Sequence, residues 1–242
     1  MKFDSYNLQS RVLPAVIFML PFFIEANYII ALLDYQIVIS ATISNILLFV
    51  FLALFANWAR YFGRKKEQQL FKKWGGAPTT RFLSENNTEY NPYKRKEVKK
   101  YLKMMFNNLK MPVAEEAQLN NGDCDKKYEA YISNLRTLTR DAKKFPLLQS
   151  ENRNYGMWRN LYGLKNIALV VIFIFFIANL LLAIFIPSIM SLTNCMILSA
   201  ILMSLVVIWC CIVTQSKIKD VAECYARQLL DTVIILKGIT IK

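Results

Sequence analysis

Four stretches of this 242-residue chain are so uniformly apolar that they constrain everything else it can do. Residues 12–33, 37–58, 167–186 and 192–213 are each about long enough, at roughly 1.5 Å per helical residue, to cross a hydrocarbon core of about 30 Å. A backbone in lipid must satisfy its own hydrogen bonds, so these stretches are expected as helices. They come in two pairs, joined by Asp34-Tyr35-Gln36 and by Pro187 to Ser191. The expected fold is therefore an all-α integral membrane protein: two transmembrane helical hairpins with a helical cytoplasmic domain inserted between them. The boundaries read as 1–58 for the first hairpin, 59–166 for the soluble domain, 167–213 for the second hairpin and 214–242 for a cytoplasmic C-terminal helix. Pro14 and Pro21 predict a first span that is kinked or partly interfacial.

Charge sets the orientation. Of 30 lysines and arginines, two precede the first span, 23 lie between residues 59 and 166, five follow the last span, and neither short connection has any. Basic residues are retained on the cytoplasmic side, so both termini and the middle region are expected there. The Lys2 to Arg11 lead-in precedes a full-length span and reads as a retained anchor rather than a cleaved signal. Five cysteines, with no Cys-x-x-Cys pair and no histidine, predict neither zinc nor disulfides. The missing histidine also removes the usual general base. Glu115-Glu116 and Asp123-Cys124-Asp125 are the close acidic groups of the middle region, and helix capping accounts for them. No enzyme activity and no cofactor are expected.

Between the hairpins the sequence predicts helices. The second span continues without a breaker through Trp58 to Gly75-Gly76-Ala77-Pro78, an end signal. Asn91-Pro92 opens a helix to about Leu109, and Asp123 caps another to about Arg140. A fourth helical stretch from Ser150 leads into the third span. Past the fourth span, Ile218, Ala222, Tyr225, Leu229, Val233 and Leu236 form one helical stripe that ends near Gly238. It suits packing on the chain's own soluble part or a subunit interface.

Two sets of residues carry the candidate chemistry. The middle region holds 23 basic against 11 acidic residues, a net of +12. Clusters interleaved with aromatics, Lys72-Lys73-Trp74 and Arg153 to Asn160, suit a polyanion whose bases stack while its phosphates are neutralised. The same charge also suits anionic lipid headgroups. The turn at Gly75-Gly76 fits neither the P-loop nor the dinucleotide pattern, because its lysines precede the glycines and no third glycine follows. The ligand-binding candidates are Lys72, Lys73, Trp74, Gly75, Gly76, Arg81, Lys94, Arg95, Arg153, Trp158 and Arg159. Within the spans, Glu25, Asn27, Asn45 and Asn179 are the pore candidates. The competing roles are interhelical hydrogen bonds for the amides and an interfacial position for Glu25.

The two hairpins, the basic helical insertion, and the stretches Lys72 to Leu83 and Glu151 to Lys165 resemble the membrane channel effector subunit of Hailong-type bacterial antiphage defence systems. That resemblance covers the full chain. It implies a homo-oligomeric channel, with a tetramer among its candidate forms, held shut by a single-stranded DNA oligomer that a partner nucleotidyltransferase makes. It further implies that Lys72, Lys73, Trp74, Arg81, Trp158 and Arg159 contact that DNA. The expected function is an ion channel gated by a cytoplasmic anionic ligand, single-stranded DNA or nucleotide. The alternative is a non-conducting, membrane-anchored nucleic-acid or lipid-binding scaffold.

Overall fold

The computed structural model describes residues 5–32, 37–112 and 121–240, and every element among them is helical. After a single turn at Ser5–Asn7 and a π-helical turn at Leu8–Val12, the helices are α1 (Leu13–Leu32), α2 (Ile37–Trp74), α3 (Pro78–Arg81) and α4 (Pro92–Met105). They continue with α5 (Asn121–Leu138), α6 (Pro146–Phe185), α7 (Leu192–Val207), a second π-helical turn at Ile208–Ile212, and α8 (Gln215–Thr240). Among the described residues, three stretches are long and apolar enough to cross a membrane by length and composition: Ser5–Ala31, Pro146–Phe185 and Leu192–Ile212. Segment 37–58 forms the first part of α2. The side chains of residues 37–45 lie outside the described residues, as do the connection 33–36 and the Glu115-Glu116 pair.

The chain divides into two compact units, residues 1–67 with 156–218 and residues 68–155 with 219–242. In the first unit, only 17% of the apolar window of α6 is buried, and Phe173, Phe185 and Leu192 stand exposed, the pattern of helices apolar enough to cross a membrane. Its buried core takes Phe18 and Met19 from α1, Ala56 and Ala59 from α2, Leu164 and Ala168 from α6, and Leu202 from α7, with Trp209 from the second π turn. The small residues among these let the helix backbones approach closely. Helices α2 and α6 meet at Gly63 and Gly163, where a Cβ on Gly163 would lie 2.4 Å from the Gly63 nitrogen.

The first π turn has a readable cause. Pro14 has no N–H to give to the carbonyl of Ser10. The Asn160 side-chain amide, fully buried, donates to that carbonyl instead at 2.6 Å. At the second π turn, the Lys165 ammonium donates to the carbonyl of Val213 at 2.8 Å and to that of Cys210 at 3.4 Å, satisfying a helix end that its own ladder leaves open.

In the second unit, Asn91 caps α4 as its sequence predicts, its side-chain oxygen accepting from the amides of Tyr93 and Lys94 at 2.9 and 3.3 Å. Val98 and Leu102 of α4, Tyr128, Tyr131 and Leu135 of α5, and Ala222, Leu229 and Val233 of α8 are buried. The α8 stripe thus packs within its own chain. Several helix limits differ from the sequence reading: α4 ends at Met105 rather than near Leu109, α6 starts at Pro146 rather than Ser150, and α8 runs past Gly238 to Thr240. A single glycine costs a helix only about 1 kcal/mol, less than the neighbouring turns supply, so Gly238 does not stop it.

Candidate anion-binding surface and buried polar pair

Helix α2 ends at Trp74 because Gly75 and Gly76 adopt φ of +74° and +121°, a region that side-chain-bearing residues rarely enter. The amide of Gly76 closes the end by donating to the carbonyl of Phe71 at 2.8 Å. Arg81 then turns back and donates to the Trp74 carbonyl at 3.2 Å. The turn is therefore a built helix stop, and it leaves Lys72 and Lys73 exposed with Trp74 half-buried beside Phe71.

The arginines expected to face a ligand are mostly committed elsewhere. Arg81 is ion-paired to Glu89 and, at 2.8 Å, to Glu223, in a network that Lys219 and Arg227 join. Arg95 is buried and donates to the carbonyls of Ser84 and Asn87 at 3.0 and 2.6 Å, with Glu85 at 3.8 Å. It holds the 84–91 loop together. Lys94 sits 3.3 Å from Asp231. Arg159 pairs with Glu67 at 3.4 Å, and the Trp158 ring carries the Lys217 ammonium 5.5 Å from its centroid. Arg153 is partly buried on α6. Trp158 and Arg159 belong to the first unit, whereas Lys72, Lys73, Trp74, Arg81, Lys94, Arg95 and Arg153 belong to the second.

Two concavities flank the Trp74–Gly76 turn. One, of about 400 Å³, is lined by Trp74, Arg81, Asn87, Asp125 and Tyr128 among others. Burial pushes the Asp125 carboxyl above its ordinary range. The other, of about 570 Å³, is lined by Lys72, Gly75, Gly76, Thr79, Ser133 and Arg136, with Thr80 and Glu129 on its wall. Arg136 and the three hydroxyl residues have no counterpart among the sequence candidates. Ser133 and Arg136 lie on α5 with no motif to mark them, and only folding brings them to Lys72, whereas Thr79 and Thr80 are buried in the short helix that follows the turn.

Among the pore candidates, the structure joins two and separates one. The amide of Asn179 donates to the carboxylate of Glu25 at 2.9 Å, and both are buried. The thiol of Cys195 lies 3.6 Å from the carbonyl of Asn179. Asn27 is exposed and bonds back to its own helix, donating to the carbonyl of Phe23 at 2.7 Å. The Asn45 side chain lies outside the described residues. Near one end of the same unit, the Tyr28 hydroxyl donates to the carbonyl of Ile189 at 3.1 Å and accepts from the Asn194 amide at 3.3 Å. Among the described residues no cluster of three histidine, cysteine or acidic side chains is placed to hold a metal.

Searches against protein-family models, curated proteins and solved structures find no match to this chain.

Proposed function

We propose that the protein is an oligomeric membrane channel of two helical hairpins, with cytoplasmic termini, whose conducting state is controlled by an anionic ligand held at the basic unit. One observation carries the reading. Helix α2 runs without a break from Ile37 to Trp74, so one element of the chain bears both an apolar span-length segment and the exposed Lys72–Lys73 pair. A ligand shifts a gate only through differential binding to its two states, and an unbroken helix is a physical means of coupling the two. The resemblance to Hailong-type effectors favours single-stranded DNA as the ligand and antiphage defence as the setting.

A second reading also has an observation behind it. Glu25 and Asn179 satisfy each other inside one chain, as they would in an anchor that conducts nothing. The two readings separate in liposomes containing the purified protein, where ion flux is followed with and without a single-stranded oligonucleotide. The channel reading expects ligand-dependent flux, altered conductance in Glu25→Gln at nearly unchanged ligand affinity, and weakened ligand control in Trp74→Ala. Absence of flux in every ligand state, with oligonucleotide still bound, establishes the scaffold instead.

A further inference from the structure

We propose that the larger concavity beside the Trp74–Gly76 turn is a seat for a phosphate monoester, with Lys72 and Arg136 as its cations and Thr79 and Ser133 as its hydroxyl partners. The inference rests on the proposed anion control and gives it a place and a chemical class.

Most cations of the second unit near the turn are already paired. Arg81, Arg95, Lys94, Lys99, Lys219 and Arg227 all have carboxylates within ion-pairing distance. Lys72 and Arg136 have none among the described residues, yet both line the same concavity. Arg136 is also held in place without being neutralised. Its Nη2 lies 3.4 Å from the Thr79 hydroxyl, and its guanidinium carbon lies 5.9 Å from the ring centroid of Tyr225, a ring itself stacked on Tyr155. A planar fork fixed in this way matches phosphate oxygens in pairs and loses little freedom on binding.

The backbone at the seat is open. A Cβ on Gly75 would meet nothing within 4 Å, and one on Gly76 only the Thr80 hydroxyl at 3.9 Å. A volume of about 570 Å³ exceeds what a bare phosphate fills and leaves room for the group it is attached to. Glu129 on the same wall disfavours a free anion but accepts hydrogen bonds from hydroxyl or amino groups of that attachment. Charge discriminates further, because a monoester carries about −1.5 to −2 at pH 7 against −1 for an internal diester. The source is a soluble ligand rather than a lipid. Every residue lining the concavity belongs to the second unit, and Lys72 lies fourteen residues in sequence beyond the apolar segment that ends at Trp58.

The test uses the full-length protein in phosphatidylcholine nanodiscs, titrated with a short oligothymidylate bearing either a 5′-phosphate or a 5′-hydroxyl. The 5′-phosphate should tighten binding by about tenfold. Lys72→Gln and Arg136→Gln should each abolish most of that gain, Arg136→Lys should keep part of it, and inorganic phosphate should compete weakly against thymidine 5′-monophosphate. Lys72 is exposed, so its variant reads binding without disturbing the fold. Equal affinity for the two oligonucleotides, or a gain that survives both glutamine variants, overturns the seat. Competition by phosphatidic acid nanodiscs as strong as that by the mononucleotide assigns the site to a lipid headgroup and overturns the soluble source. Ligand-controlled flux unchanged in both glutamine variants removes the seat but leaves the channel; flux that no ligand alters, with the phosphate gain intact, removes the channel but leaves the seat.

Discussion

A single methyl group placed on Gly163 would lie 2.4 Å from the nitrogen of Gly63 and 2.6 Å from its Cα, contacts that only a shift of one helix against the other relieves. Both neighbours are backbone, so no side-chain rotation absorbs the clash, and overpacking of this kind costs about 1–3 kcal/mol. Gly163→Ala is expected to lower the thermal midpoint of the detergent-solubilised protein clearly. Gly156→Ala, whose Cβ would meet side chains alone, Ser10 at 3.0 Å and the Tyr6 hydroxyl at 3.6 Å, should lower it less. Equal midpoints for the two variants would show that α2 and α6 are not closely apposed. Neither Gly63 nor Gly163 stood out in the sequence, because a lone glycine in an apolar or amphipathic run has no partner until the helices cross. Gly75 and Gly76 were legible for the opposite reason: a glycine pair before proline carries its cause locally, in the dihedral angles that a helix end requires. Glu25 and Asn179 fall between these cases. Each was conspicuous as a polar group in an apolar run, but their mutual bond spans 154 residues and is a property of packing.

At the level of elements, the limits that carry a local signal were foreseeable: Asn91-Pro92 opens α4 through bonds to amides two and three residues on, and Gly75-Gly76 stops α2. Limits without one were not: α6 begins at Pro146, α5 begins at Asn121 with the expected cap Asp123 inside its first turn, and α4 ends at Met105 although Phe106 and Leu109 still contact Tyr131. Helix α4 carries Lys94, Lys96, Lys99, Lys100 and Lys103, and of these Lys99 is turned inward to Glu85 at 2.5 Å and to the Tyr128 hydroxyl at 2.9 Å. This contact joins α4 to α5 and to the 84–91 loop, and it is titratable. The Lys99 hydrogen bond is the main influence holding the Glu85 carboxyl below its ordinary 4.5, with partial burial opposing it and the charges of Lys99, Arg95 and Lys96 assisting. A depressed carboxylate pKa contributes stability that is fully present above the unfolded value and is lost as pH falls through the folded one. Glu85→Gln should therefore lower the thermal midpoint at pH 7, and the difference from wild type should vanish well below pH 4.5. High salt should shrink it as well, since Glu85 is 39% exposed and screened. A difference that persists unchanged into acid would show that the amide disturbs packing rather than charge.

For the molecule as a whole, the apolar helices were legible because run length and composition suffice to identify them, while the anion site was not, because it depends on which cations are already spent. The sequence groups Arg81 with Lys72 and Lys73. Folding instead commits Arg81 to Glu223, 142 residues away, and brings in Arg136. What links membrane and ligand in the proposed function is the continuity of α2, and that link can be cut without touching either end. Gln68 is exposed on α2, six residues before Trp74. Proline there removes one ladder hydrogen bond and forces its ring against the carbonyl of residue 64, at a local cost of about 3 kcal/mol or more, so the helix kinks or breaks. Glycine at the same position only loosens the helix, by about 1 kcal/mol relative to alanine. If α2 transmits the signal, Gln68→Pro should bind the phosphorylated oligonucleotide within about twofold of wild type, a change of under about 0.5 kcal/mol, while its flux ceases to respond to that ligand. Gln68→Gly should keep the response in weakened form. Binding and flux measured on the same preparations decide the matter: an undiminished response in the proline variant means that the gate is coupled through some route other than α2. Loss of binding and response together would mean instead that the turn at Trp74 needs the helix merely to keep its shape.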